Sequence, residues 1–278
     1  MDVTMPDIST LLPLIGLLML AGAFAGLLAG MLGVGGGIVH VPAFFYVFQT
    51  LGYDSPHLMR ICLATSLAAI IVTSIRSVMA HNKRGAVDWS ILRSWAPGIA
   101  VGALLGVLIA SSLRTTTLQV IFGVTAFLVG LYLAFGRRDW RLGAEMPRGI
   151  VRASLSPSVG FLSVLMGIGG GSFGVPLMTL FGVPMHRAVA TAAGFGVLIA
   201  VPSVAAFVLV GVPEGVSPPF MLGSVNIAAF AVAVSMTLTT APLGARLAHS
   251  MDALVLRRVF AVFILCVAAN MLRKALWG

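Results

Sequence analysis

Charge is what this 278-residue sequence has least of: 9% of its residues are Asp, Glu, Lys or Arg, against about 25% in a soluble domain. Seventeen Lys and Arg with 8 Asp and Glu cannot cover a soluble surface, so an ordinary cytosolic domain is excluded. Cysteine is almost absent. Cys62 and Cys266 both lie in apolar stretches, which excludes a disulfide framework and a Cys-based zinc site. The first 59 residues hold no Lys or Arg, Arg60 being the first, while Asp2 and Asp7 precede the first apolar run. A secretory signal needs a positive leading region, so none is expected. The five His, at 40, 57, 81, 186 and 249, form no HExxH, and no carboxylate pair lies within an apolar segment. An intramembrane enzyme would need such a constellation, so no enzyme activity, metal or cofactor is expected.

What the sequence does have is apolar surface: 59% hydrophobic residues before its 32 glycines are counted. That excludes a disordered chain, and the lack of two-residue alternation excludes an outer-membrane barrel. The remaining class is an all-α polytopic membrane protein. Its partners are the lipid bilayer and a small solute; a homo-oligomer stays open. The net charge of +9 points to cytoplasmic loops rather than to nucleic acid.

Ten apolar segments are predicted, at 11–32, 38–50, 61–81, 91–112, 117–136, 153–167, 172–184, 187–211, 221–245 and 253–276. Three of them, 38–50, 153–167 and 172–184, are short for about 30 Å of hydrocarbon, and whether they cross or re-enter is open. The basic stretch 137–152 is expected to be cytoplasmic, as are the loops with Lys83, Arg84 and Arg93 and with Arg246, Arg257 and Arg258. Thirteen of the 17 basic residues then lie inside, and Arg60, Arg114, Arg273 and Lys274 lie outside with the N-terminus and the loop around Glu214. Arg76 should snorkel to the inner interface. An inner, cytoplasmic membrane is the expected location.

The chain nearly repeats itself. GLLAGMLGVGGGIVHVPA at 26–43 matches GFLSVLMGIGGGSFGVPL at 160–177, and Ala64-Thr65 matches Ala190-Thr191. Gly106 with Ala110 corresponds to Gly244 with Ala248, and Leu118 with Phe122 to Leu256 with Phe260. Five segments per half, an odd number, and the charge walk together predict two inverted-topology repeats, 1–136 and 153–278, joined by the linker 137–152. Secondary transporters built this way bind substrate near the midplane at the repeat interface.

The strongest signal is the duplicated GxGGGxxxVP: Gly33, Gly35, Gly36, Gly37 and Pro42 in one half, Gly167, Gly169, Gly170, Gly171 and Pro176 in the other. Four glycines in five residues break a helix, and broken backbone within apolar sequence must be buried in protein or line a cavity. The short helix after each break starts with free N–H groups, which bind anions. Two such starts aimed at one central point predict a small anion held by backbone amides. A nucleotide loop is not predicted, because Ile38 and Ser172 stand where GxGxxG needs glycine. His40, three residues past Gly37, is a candidate proton carrier or anion partner, or else a hydrogen-bonded core residue. Thr65, Ser66 and Thr191 are candidate hydroxyl donors to the anion, the alternative being back-bonds in their own helices. Asn226 and Gln119 are expected to hydrogen-bond between helices. The spaced sets Gly22/Gly26/Gly30 and Gly98/Gly102/Gly106 predict close helix packing.

The paired GxGGG-xxx-VP hairpins, the Ala-Thr that opens the next helix and the short polytopic chain together resemble the sulfite exporter TauE/SafE family of membrane permeases, over nearly the whole length. The resemblance implies a cytoplasmic-membrane protein that moves sulfite, organosulfonates or related oxyanions. The first hairpin carries His40 where the second has Gly174, a departure between the two copies. The expected function is therefore a secondary transporter, working as an exporter by alternating access. An anion channel and an anion-binding sensor or subunit without transport are the alternatives.

Overall fold

The computed structural model describes residues 8–32, 36–136, 140–213, 215, 217–250 and 253–277. Gly33 and Gly35 of the first motif, and Arg137, Arg138 and Glu214, lie outside the described residues. Ten helices follow one another: α1 (Ile8–Leu32), α2 (Gly37–Thr50), α3 (Leu58–Asn82), α4 (Trp89–Ser112), α5 (Thr115–Phe135), α6 (Gly149–Leu165), α7 (Gly171–Leu180), α8 (Met185–Val210), α9 (Ile227–Ser250) and α10 (Ala253–Trp277). Six of them, α3, α4, α5, α8, α9 and α10, contain stretches long and apolar enough to cross a membrane. The all-α polytopic expectation holds.

Two of the boundaries that differ from the sequence reading have a local cause. The ninth segment does not open as helix at 221: a two-stranded antiparallel hairpin, β1 (Met221–Leu222) and β2 (Val225–Asn226), precedes α9. Asn226 then ends the hairpin as a cap. Its Oδ1 accepts from the amide of Ala229, while its Nδ2 donates to the Pro219 carbonyl. The side chain therefore starts α9 rather than bonding between helices. The seventh segment ends at Leu180 rather than 184, because Gly182 turns the chain at φ 82° and Pro184 precedes α8.

The centre of the bundle is α3, the most enclosed helix, with 83% of its apolar window buried. It packs on α2, α8 and α9. α3 and α8 are antiparallel: Arg60 Nη2 donates to Gly211 at the far end of α8, while Ser74, fourteen residues further along, lies against Gly196. The α5–α10 pair is antiparallel too, since Gly123 abuts Leu272 and Gly130 abuts Leu265. The α1–α9 and α4–α6 pairs run parallel. Gly22 and Gly26 of α1 meet Ala233 and Thr237, and Gly98 and Gly106 of α4 meet Ser156 and Val164. Exchanging the halves carries α1–α9 into α6–α4, α2–α3 into α7–α8 and α3–α9 into α8–α4, and all six contacts are present.

The spaced glycines sit in these seams. A Cβ on Gly102 would run into the Pro157 backbone, and one on Gly26 into Thr240 and Thr237. The close-packing expectation holds at Gly22, Gly26, Gly98, Gly102 and Gly106. At one end of the bundle lie Arg60, Arg114 and Lys274. At the other lie Lys83, Arg84, Asp88, Arg187 and the linker 140–148, whose Leu142 donates to the Leu180 carbonyl at the end of α7.

Candidate functional site

Each half bends back on itself at its glycine motif. Gly36 takes a left-handed φ of 73° before α2, and a Cβ there would come within 3.1 Å of Ala25, eleven residues back in α1. Gly167 takes φ 60° after α6, and a Cβ there would come within 2.8 Å of Leu63 and Val41. Only glycine suits both demands, positive φ and close approach. The helices that follow are short. α2 has 14 residues and α7 has 10, so at about 1.5 Å per residue neither spans about 30 Å alone.

The two hairpins touch. A Cβ on Gly37 would lie 2.5 Å from the Gly167 carbonyl and 2.9 Å from Ile168 Cα. Around them stand Leu63, Ser66 and Ile70, from the first half of α3, and Ala192, Phe195 and Gly196 of α8. The tips therefore meet well inside the bundle against the central helix pair.

Their amides are buried and open. Gly36 to Ile38 and Gly169 to Ser172 are all buried. The first backbone bonds of the short helices are Val39 and His40 to Gly36 O, and Gly174 to Gly170 O. Among the described residues no acceptor takes the amides of Gly37 and Ile38, or those of Gly169 to Ser172. Buried N–H groups without a partner are rare. Pro42 and Pro176 lie inside α2 and α7 and leave the carbonyls of Ile38 and Ser172 without their helical donors as well.

Side chains repeat the pattern. His40 is 1% exposed. Its ring stacks on Phe44 at 5.6 Å, Nε2 lies 3.3 Å from Thr237 Oγ1, and Nδ1 has no partner among the described residues. Thr237 in turn donates towards the Gly22 and Ala233 carbonyls, which makes its oxygen the acceptor for an Nε2–H. Ser163 and Ser172 are buried, and their hydroxyls have no partner among the described residues. Sequence reading missed both as site residues, and it missed Thr237. The available signal was a serine beside each end of the second glycine motif in otherwise apolar sequence.

The three helix-opening hydroxyls have partners inside the protein, Ser66 as donor and Thr65 and Thr191 as acceptors. Ser66 Oγ donates 2.7 Å to the Gly167 carbonyl, so its proton fixes the second hairpin instead of reaching a solute. Thr65 Oγ1 accepts from the amide of Asn226, and Thr191 Oγ1 accepts from the amide of Asp88. Asp88 caps α4 through Ser90 and Ile91 as Asn226 caps α9. The duplicated Ala-Thr thus braces the N-cap of α9 in one case and of α4 in the other. Neither threonine bonds back to its own helix. Gln119 makes no interhelical hydrogen bond among the described residues; it lines a cavity instead. Arg76 is exposed, as snorkelling requires.

A family model described as Sulfite exporter TauE/SafE matches residues 18–271. The chain belongs to that family. A "Probable membrane transporter protein" of Haemophilus influenzae is 29% identical over 267 residues, which cover 93% of this chain and 98% of that protein. The "Probable membrane transporter protein YunE" of Bacillus subtilis is 29% identical over 63% of this chain and 71% of its own. A similarly named protein of Methanocaldococcus jannaschii is 26% identical over 65% of this chain and 67% of its own. No solved structure matches significantly. With its membrane-crossing helices, this TauE/SafE chain is a multi-pass membrane transporter.

Proposed function

We propose that this TauE/SafE protein is a secondary transporter that exports a small oxyanion, sulfite or an organosulfonate, from the cytoplasm, and that it binds the anion between the crossed glycine hairpins. The observation that carries the reading is the set of buried amides at both hairpin tips that have no acceptor among the described residues. Amides at a helix start complement negative charge without a counter-ion, and Ser172 in α7, Ser163 in α6 and His40 Nδ1 in α2 are buried polar atoms without a partner among the described residues. Family membership supports the substrate class.

The same proposal includes two inverted repeats, 1–136 and 153–278, joined by a cytoplasmic linker 137–152, with the N-terminus external. The antiparallel α3–α8 and α5–α10 pairs speak for this. Equivalent helices that run antiparallel fit an axis across the bundle, as an axis in the membrane plane would be. Movement of one repeat against the other would then expose the hairpins to each face in turn.

The test is ligand-induced thermal stabilisation of the purified protein, read against sulfite, sulfate, thiosulfate, methanesulfonate and simple carboxylates. An anion at 100 times its dissociation constant adds about 2.7 kcal/mol. Ser172→Ala removes a hydroxyl with no internal partner, so it should fold normally and lose part of that stabilisation. Stabilisation by cations or neutral solutes alone would sink the amide-site reading.

A further inference from the structure

A second polar site lies at the Arg60 end of the bundle, away from the hairpins. A cavity of about 600 Å³ opens where α2 ends and α5 begins, and Arg114, Lys274, Gln119, Thr116 and Asp54 line it. α2 separates it from the hairpins by its full 14 residues, about 21 Å of helix.

Four features of the cavity favour an anion. Gln119 is 4% exposed, lines the cavity, and makes no side-chain hydrogen bond among the described residues. A buried carboxamide left without partners in a polar recess is a group awaiting a ligand or water. The Arg114 guanidinium has no ion pair or hydrogen bond among the described residues either. Lys274 Nζ gives one donor to Gln49 Oε1 at 2.6 Å and rests over the rings of Phe45 and Tyr46 at 5.5 and 5.4 Å, so it is fixed in place with further donors free. The N-terminus of α5 also opens here. Thr115 N is taken by the Pro56 carbonyl and Leu118 N by Arg114 O, while the amides of Thr116 and Thr117 have no acceptor among the described residues. Against two cations and a helix start stands one carboxylate, Asp54.

We propose that this cavity is a second anion site, which takes a tetrahedral oxyanion through the Arg114 guanidinium, the Lys274 ammonium, the Gln119 amide and the start of α5. The ligand chemistry is a sulfate-like or phosphate-like group, either free or as the headgroup of a lipid. The volume and the Phe45 wall leave room for an organic substituent. The site is independent of the hairpin reading, because none of its residues lies at a hairpin tip.

The test uses the full chain in detergent, carrying Cys266→Ser and Thr116→Cys; Cys62 is buried. Thr116→Cys is reacted with the anionic sulfonatoethyl and the cationic trimethylammonioethyl methanethiosulfonates, with Val212→Cys on an exposed loop as reference. The anionic reagent should be favoured at position 116 by about tenfold over the reference, the scale of focusing by a charged cleft. Arg114→Ala with Lys274→Ala, and separately Gln119→Leu, should lower that preference. Sulfate or inorganic phosphate that protects the thiol in lipid-free detergent assigns a free anion. Protection by phosphatidylglycerol, without protection by the inorganic ions, assigns a headgroup. No preference, a preference that survives all three substitutions, or no protection by either source overturns the proposal. Ser172→Ala should leave the labelling preference intact, so failure here and failure at the hairpins are told apart.

Discussion

Glycines that look alike in sequence differ by what stands opposite them. Gly102 faces the Pro157 backbone on α6, whereas a methyl group on Gly16 in α1 would have nothing within 4 Å. Gly102→Ala should therefore destabilise by about 1–3 kcal/mol through overpacking. Gly16→Ala should stabilise by about 0.5–1 kcal/mol through lower backbone entropy in the unfolded chain. Thermal unfolding of the two purified variants checks the opposite signs. Ser66 belongs to the same scale. Ser66→Ala removes the 2.7 Å bond to Gly167 and leaves a buried carbonyl unpaired, a loss of about 1–3 kcal/mol. Ser66→Thr keeps the donor, so anion-induced stabilisation should fall in the first variant and recover in the second.

At the scale of elements, the two long helices that follow the hairpin units start by one device. Asp88 caps α4 and Asn226 caps α9, and each gives its own amide to the threonine of an Ala-Thr pair. The surroundings differ. Asp88 also meets Arg187 at 3.0 Å, with side-chain exposures of 21% and 44%, and a pair that open is worth about 0–1 kcal/mol. Its cap should matter more, so Asp88→Ala should cost about 1 kcal/mol while Asp88→Asn, which keeps the cap, should be nearly neutral. Asn226 is buried and also holds the Pro219 carbonyl. Asn226→Ala should then lower the unfolding temperature more than Asp88→Ala does; equal shifts would show that the Pro219 bond contributes little.

For the whole molecule, the arrangement of charge predicts orientation. Arg84 and Thr117 lie at opposite ends of the bundle, and both are exposed. In intact cells with Cys266 replaced, a membrane-impermeant thiol reagent should label Thr117→Cys and not Arg84→Cys. The reverse pattern would invert the topology and with it the direction in which each hairpin opens.

Much of this architecture was legible in the sequence, since a bilayer demands long apolar helices with satisfied backbones. The ten segments, the repeat of the glycine motif and the small-residue seams follow from composition and spacing. The meaning of single polar residues was not legible. Thr65 and Thr191 open helices beside the hairpins, and nothing local in the sequence shows that they accept amides from residues 161 and 103 positions away in the chain. Gln119 looks like an interhelical bridge, and the fold instead gives it a cavity shared with Lys274, 155 residues further on. Local composition dictates which stretches leave water and where the backbone must break, and both can be read residue by residue along the chain. Which polar atoms are paired and which are left open is set by packing between distant segments, because a hydrogen bond depends on what comes within about 3 Å.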